Sequence, residues 1–140
     1  MTILLFAAIL AAGPVEFWTS PELKSAAGAV AGDADSKGIA GKTLGGASLW
    51  RRSKTGQAEM HKNKTDLFVI EEGSATLLYG GTLRDAHSTQ PNEVRGTAVE
   101  GGESKKVGPG DIVRIPPNTP HQFVLEKGQS VAYFSLKLAP

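Results

Sequence analysis

Cysteine is missing from this 140-residue sequence. Disulfides, thiolate chemistry and zinc sites of the cysteine type are thereby excluded, as is lipid anchoring through an N-terminal cysteine. An excess of charge of one sign is missing too: 15 basic residues stand against 14 acidic ones, a formal net charge of +1. That balance gives no reason to expect nucleic acid or an anionic membrane surface as a partner. The basic pairs Arg51-Arg52 and Lys105-Lys106 sit in alternating, strand-like contexts, where a solvated face accounts for them.

Long apolar runs are scarce. The longest, residues 1–12 (MTILLFAAILAA), falls short of the roughly 20 residues that a membrane span needs, so no membrane span is expected. Its length suits the hydrophobic region of a signal peptide, and Ala11, Ala12 and Gly13 offer small residues for cleavage, although no lysine or arginine precedes it. Residues 1–13 therefore read as a candidate signal peptide of a secreted or periplasmic protein. The alternative is a cytoplasmic protein whose opening residues form a buried strand against a sheet edge or a partner subunit.

Turn-forming residues are plentiful, with 17 glycines and 8 prolines. Turn signals such as Gly80-Gly81, Gly101-Gly102, Gly108-Pro109-Gly110 and Pro116-Pro117-Asn118 separate short alternating runs. The expected strands are 47–52, 57–61, 67–71, 75–79, 94–99, 104–107, 112–115, 121–125 and 131–138. Short strands at this spacing imply an all-β sandwich or barrel. Before them, Ser20-Pro21-Glu22 marks a helix start, with Ser20 as N-cap, and the helix should stop near Gly28 or Gly32. A chain of this size makes one domain and buries roughly two-thirds of its unfolded surface. Residues 14–43 then form an N-terminal arm with a short helix, and residues 44–140 the barrel.

Two histidines stand beside strand patterns, in residues 60–73 (MHKNKTDLFVIEEG) and 110–123 (GDIVRIPPNTPHQF). Because strand side chains alternate, Glu59 projects with His61, Asp66 with Phe68 and Ile70, and His121 with Phe123 and Leu125. Two histidines and a carboxylate suffice for an octahedral metal with open positions. Each residue also has a plainer reading. His61 could lie on an exposed turn, Asp66 could bond to nearby backbone amides, Glu59 could pair with Lys62 or Lys64, and His121 could be a satisfied core histidine. The third histidine, His87, falls in residues 84–93, a polar stretch that reads as an exposed loop.

These segments resemble the two motifs of the cupin superfamily. Reading back from Gly73, the motif's acidic position falls on Asp66 and its second histidine on His61, with Glu59 in place of the first histidine and Ser53 in place of the leading glycine. The second motif matches Gly110, Pro116 and His121, with Asn118 at a glycine position and Leu125 at an asparagine position. The resemblance covers residues 44–138 and implies a jelly-roll β-barrel. It also implies that Glu59, His61, Asp66 and His121 converge in an apolar interior. Buried carboxylates there need a cation, a proton or water.

On that resemblance, the expected cofactor is a divalent metal held by His61, Asp66 and His121. Glu59 would be a fourth ligand or a general base. Losing the first histidine makes the site oxygen-rich and favours iron or manganese, with zinc or nickel as alternatives. The function implied is a metal-dependent enzyme acting on a small oxygenated molecule, of oxygenase, isomerase or lyase type. The alternative is a non-catalytic small-ligand-binding or sensor protein using the same pocket. A homodimer is expected, since such barrels expose edges that a second copy covers. Trp50, Tyr79, Arg114, Gln122 and Tyr133 are further candidates near the pocket mouth. Trp50 and Tyr133 suit core or interface roles, and Arg114 an outward one.

Overall fold

The computed structural model of the protein describes residues 18–29 and 47–140. The candidate signal peptide, most of the arm, the connector at residues 32–41 and the Gly45-Gly46 turn lie outside the described residues. Among the described residues, one helix, α1 (Ser20–Ala29), precedes twelve strands: β1 (Ala47–Arg52), β2 (Ala58–His61), β3 (Thr65–Gly73), β4 (Ala75–Tyr79), β5 (Thr82–Arg84), β6 (His87–Gln90), β7 (Glu93–Gly96), β8 (Ala98–Glu100), β9 (Glu103–Val107), β10 (Ile112–Ile115), β11 (His121–Val124) and β12 (Val131–Leu138).

The helix starts one residue earlier than its Ser-Pro signal suggests. Thr19, not Ser20, is the cap: its backbone N–H donates to Glu22 Oε2 at 2.9 Å, and the Glu22 N–H reaches back to Thr19 Oγ1 at 3.5 Å. This reciprocal bonding needs a hydroxyl three residues before the acid, which Thr19 supplies and Ser20 does not. Ala27 buries against Leu49 and Ala132, and Trp18 meets the Phe134 ring edge-on, so the helix is pinned on the outer face of β1 and β12.

The strands form a four-stranded sheet in the order β1-β12-β3-β10 and a six-stranded sheet in the order β6-β7-β2-β11-β4-β9, with β5 and β8 paired apart. All the pairings are antiparallel. Phe68, Ile70 and Tyr133 from the first sheet meet Leu77, Val107 and Phe123 from the second in the core. The Phe68, Phe123 and Tyr133 rings lie 4.8–5.4 Å apart by centroid. Inward positions come at alternate residues along β3 (Asp66, Phe68, Ile70), as the two-residue period requires.

Two expectations fail in the same region. Residues 84–93 are not a loop: β6 and β7 make an antiparallel hairpin, turning at Pro91-Asn92 with Asn92 at φ 65°. Every β6 residue is exposed, so no apolar alternation marks it in the sequence. The single strand expected over 94–99 is broken at Thr97, where β7 stays in the six-stranded sheet and β8 leaves to pair with β5. Gln122, buried at the back of β11, ties this corner down. It donates through Nε2 to the Gly56 carbonyl at 2.8 Å and accepts from the Val99 N–H at 3.3 Å.

Candidate metal centre

Each candidate residue is placed by backbone pairing. His61 ends β2 in one sheet, and the chain then crosses through residues 62–64 to begin β3 in the other, which brings Asp66 back within reach. His121 opens β11, with Glu59 directly opposite it on β2. The second motif's turn is bolted to the first by the Asn118 N–H, which donates to the His61 carbonyl at 2.8 Å. Asn118 adopts φ 61°, the left-handed conformation that asparagine tolerates better than most residues.

His61, Asp66 and His121 are all buried, and their ligand atoms lie within 4.8 Å of one another. His61 Nδ1 donates to Asp66 Oδ2 at 2.8 Å. His121 Nδ1 donates to the Thr119 carbonyl at 3.0 Å, which turns Nε2 toward the cluster. There Nε2 lies 3.7 Å from Asp66 Oδ2 and 3.3 Å from Glu59 Oε1, yet neither contact is a hydrogen bond and the atom is buried without one. A histidine anchored through one nitrogen to a backbone carbonyl, its other nitrogen unsatisfied and facing carboxylates, is the arrangement metal-ligating imidazoles adopt. The residues present fit a divalent ion.

Glu59 stands beside this cluster rather than inside it. Arg95 Nη2 holds its Oε2 at 3.2 Å. Burial alone would raise the Glu59 carboxyl, but the neighbouring His121, Lys137 and Arg95 outweigh it and hold the acid well below its ordinary range. Asp66 is likewise lowered: burial pushes it up, while hydrogen bonds from His61 and Lys137 push it further down. Both acids are thus carboxylates at neutral pH.

Three further residues, none of them among the sequence candidates, join the site: Lys137, Glu93 and Arg95. Lys137 sits opposite Asp66 in the β12–β3 register, and its ammonium donates to Asp66 Oδ1. It also lies 3.4 Å from both ring nitrogens of His61. Glu93 and Arg95 come from β7, Glu93 from the end of the stretch expected as a loop and Arg95 from the strand expected over 94–99. Glu93 Oε2 is 3.7 Å from His61 Nε2, and Arg95 Nε donates to Glu93 Oε1 at 2.8 Å. A signal for Lys137 was present, since it shares the alternating face of Tyr133 and Ser135 on a strand that is otherwise mostly apolar.

A cavity of about 160 Å³ adjoins the cluster, lined by Trp50, Arg52, Glu59, Phe68, Tyr133 and Lys137 among others. Tyr133 is a core residue whose hydroxyl accepts from Arg52 Nε at 2.8 Å, and burial pushes its pKa up to about 12. A larger groove, about 290 Å³, runs between β9 and β10 over Leu77, Val107 and Ile115, and none of the four candidate residues lines it. The remaining candidates lie elsewhere. Tyr79 is at that groove, donating to Glu103 at 3.0 Å; Gln122 points away from the cluster; Arg114 is exposed, as expected; His87 is exposed on β6.

No protein-family model matches the sequence, and no curated protein matches it. Solved structures do. A conserved double-stranded β-helix protein from Klebsiella pneumoniae aligns over 90% of this chain and 91% of its own, with 11% identity and a TM-score of 0.59. The fold is cupin-like. The plu4264 protein of Photorhabdus luminescens aligns over 76% of this chain and 75% of its own, at 15% identity and a TM-score of 0.50. The polyketide cyclase RemF from Streptomyces resistomycificus shares 22% identity over 65% of this chain, with a TM-score of 0.46, and this chain spans 51% of the cyclase's length. With identities this low, the likeness concerns the fold. The metal-binding capacity of the cupin-like barrel rests on its own buried His/Asp/His cluster.

Proposed function

We propose that this protein is a small metal-dependent cupin-type enzyme. In this reading, His61, Asp66 and His121 hold a divalent ion and the adjoining cavity admits a small oxygenated molecule. The observation that carries it is the buried, unbonded Nε2 of His121, aimed at Asp66 within a cluster of suitable ligand atoms. Two imidazoles with one carboxylate, and a second carboxylate alongside, favour iron or manganese over zinc. When bound, such an ion supplies Lewis-acid or redox chemistry to a molecule that shares its coordination. Glu59, ionised and steadied by Arg95, takes the part of a proton acceptor beside that molecule or of a fourth ligand. Phe68 and Trp50 provide apolar walls, and the volume limits the bound molecule to a small one.

A second reading, a non-catalytic binding module, is favoured by the Lys137 ammonium, which offers Asp66 a counter-charge from the chain itself. Elemental analysis of protein purified without added metal, then a screen of small hydroxy and oxo compounds on the loaded form, separates the two. Stoichiometric iron or manganese with turnover supports the enzyme. Metal without turnover of any compound, or small-molecule binding with no metal, supports the module.

A further inference from the structure

We infer that Lys137 is a tethered cation that competes with the metal for Asp66 and thereby sets the affinity of the site. The inference rests on the metal-binding reading above. Lys137 and Asp66 face each other across the β12–β3 ladder, so the ammonium is delivered to the carboxylate by strand register rather than by a mobile loop. Its nitrogen bonds Asp66 Oδ1 and stands 3.4 Å from both nitrogens of His61. It therefore contacts two of the three proposed ligands at once. A divalent ion held by the same three residues would meet a like charge within a few ångströms, in a poorly solvated site where repulsion is weakly screened. The ion must take Asp66 from the lysine, and the lysine must turn away.

There is room for it to turn. The Lys137 side chain is 28% exposed, against 2% for Asp66. It lines the cavity beside Glu59 and Glu93, either of which can receive the displaced ammonium. The arrangement has two consequences. Without metal, the buried Asp66 carboxylate keeps a partner and the barrel is not left with an uncompensated charge. With metal, the released ammonium faces the cavity and any molecule bound there.

The test compares metal binding by the wild-type chain and Lys137→Met, which keeps the length and apolar stem of the side chain without its charge. Free Mn2+ is counted by electron paramagnetic resonance during titration, and no turnover is required. We expect Lys137→Met to bind Mn2+ about tenfold to a hundredfold more tightly, the size expected for no longer breaking one charge-assisted hydrogen bond. Lys137→Arg should stay within a few-fold of wild type. In the double variant with His121→Ala the gain should vanish, which places the ion at the cluster. Should Lys137→Met fail to fold, Lys137→Gln, which removes the charge and leaves at most a neutral hydrogen bond to Asp66, should also bind Mn2+ more tightly than wild type, by a smaller factor. A second readout is acetylation of Lys137 by acetic anhydride, followed by peptide mass spectrometry, which should accelerate on loading with Zn2+. Equal or weaker Mn2+ binding by the uncharged variants, with wild type binding normally, overturns the competition and leaves the metal reading standing. No binding of Mn2+ or Zn2+ by any form overturns both.

Discussion

Asn118 donates its backbone N–H to the carbonyl of His61 at 2.8 Å. This bond ties the turn before His121 to the end of β2, adding to the β11–β2 and β10–β3 pairings that join the two halves of the site, since His61 ends β2 and Asn118 leads, three residues on, to His121. It depends on the left-handed conformation at φ 61°. Asn118→Gly should therefore leave stability and metal affinity close to wild type. Asn118→Val should cost on the order of 1–2 kcal/mol in urea unfolding, the usual penalty for a side chain forced left-handed. It should also weaken Mn2+ binding. A valine variant as stable and as tight as wild type would show that the turn does not position the histidines.

His121→Ala should abolish metal binding while the barrel stays folded. The ring is held by its Nδ1 bond to Thr119 and by packing against Phe68 and His61, and its removal also takes away the Nε2 contacts with Glu59 and Asp66, all of which lie at the site rather than in the core that holds the two sheets together. Loss of partners that merely support a ligand costs about 10- to 100-fold in metal affinity, so loss of the ligand itself should cost more. Thermal melts with and without Mn2+ provide the check: wild type should gain stability on loading and the variant should not. A metal-induced shift that survives in His121→Ala would remove this histidine from the site.

Acid should destabilise the fold in a defined direction. Glu59, Asp66 and Glu93 all have folded-state pKa values held below their ordinary ones, against the opposing effect of burial. The native state then binds fewer protons than the unfolded chain once the pH enters the ordinary carboxylate range. Their stabilisation is complete above that range and is lost as the pH falls through the unfolded values towards the folded ones. Urea midpoints should decline below about pH 4.5. Glu59→Gln should make the decline shallower. A midpoint that rises on acidification would contradict the ionised assignment of these groups.

Much of this architecture was legible in the sequence. β1, β4, β10 and β12 fall at residues 47–52, 75–79, 112–115 and 131–138, where apolar alternation is strong and flanking glycine or proline is clear. The convergence of His61, Asp66 and His121 was legible only through the resemblance to the two cupin motifs, since the two-residue period relates neighbours on one strand and these three lie on β2, β3 and β11. What escaped notice has physical reasons. β6 lies at the edge of a sheet, where solvated residues need no apolar period, and Arg95, on the strand expected over 94–99, reaches Glu59 across a strand pairing that no local pattern marks. Lys137 reaches Asp66 through a pairing of strands 71 positions apart, which local pattern does not encode.

Gly73 gives the first motif's closing glycine a structural meaning. It sits at φ 69° at the end of β3, and a Cβ there would fall 1.9 Å from the Ser130 carbonyl oxygen, a backbone atom that cannot swing aside. Gly73→Ala should therefore combine left-handed strain with a steric clash. We expect a loss of about 3 kcal/mol or more, at the upper end for single substitutions. Once folded, the variant should bind metal normally, because the strain lies at the opposite end of β3 from Asp66. Wild-type stability in Gly73→Ala would mean that the β3–β12 margin is looser than its geometry.

Asp66 and Glu59 should separate cleanly as ligand and neighbour. Asp66 lies inside the cluster, bonded by His61 and Lys137, whereas Glu59 lies at its rim with one oxygen committed to Arg95. Asp66→Asn keeps the shape but removes the charge that a hard cation requires, and Mn2+ affinity should fall about 10- to 100-fold. Glu59→Gln should keep Mn2+ within a few-fold of wild type. If a substrate is found, the same variant should lower kcat, because an amide cannot accept the proton that a carboxylate takes. Metal loss in Glu59→Gln as deep as in Asp66→Asn would instead make Glu59 the fourth ligand. The site would then be two imidazoles and two carboxylates, and the proton acceptor would have to be sought in Glu93, 3.7 Å from His61.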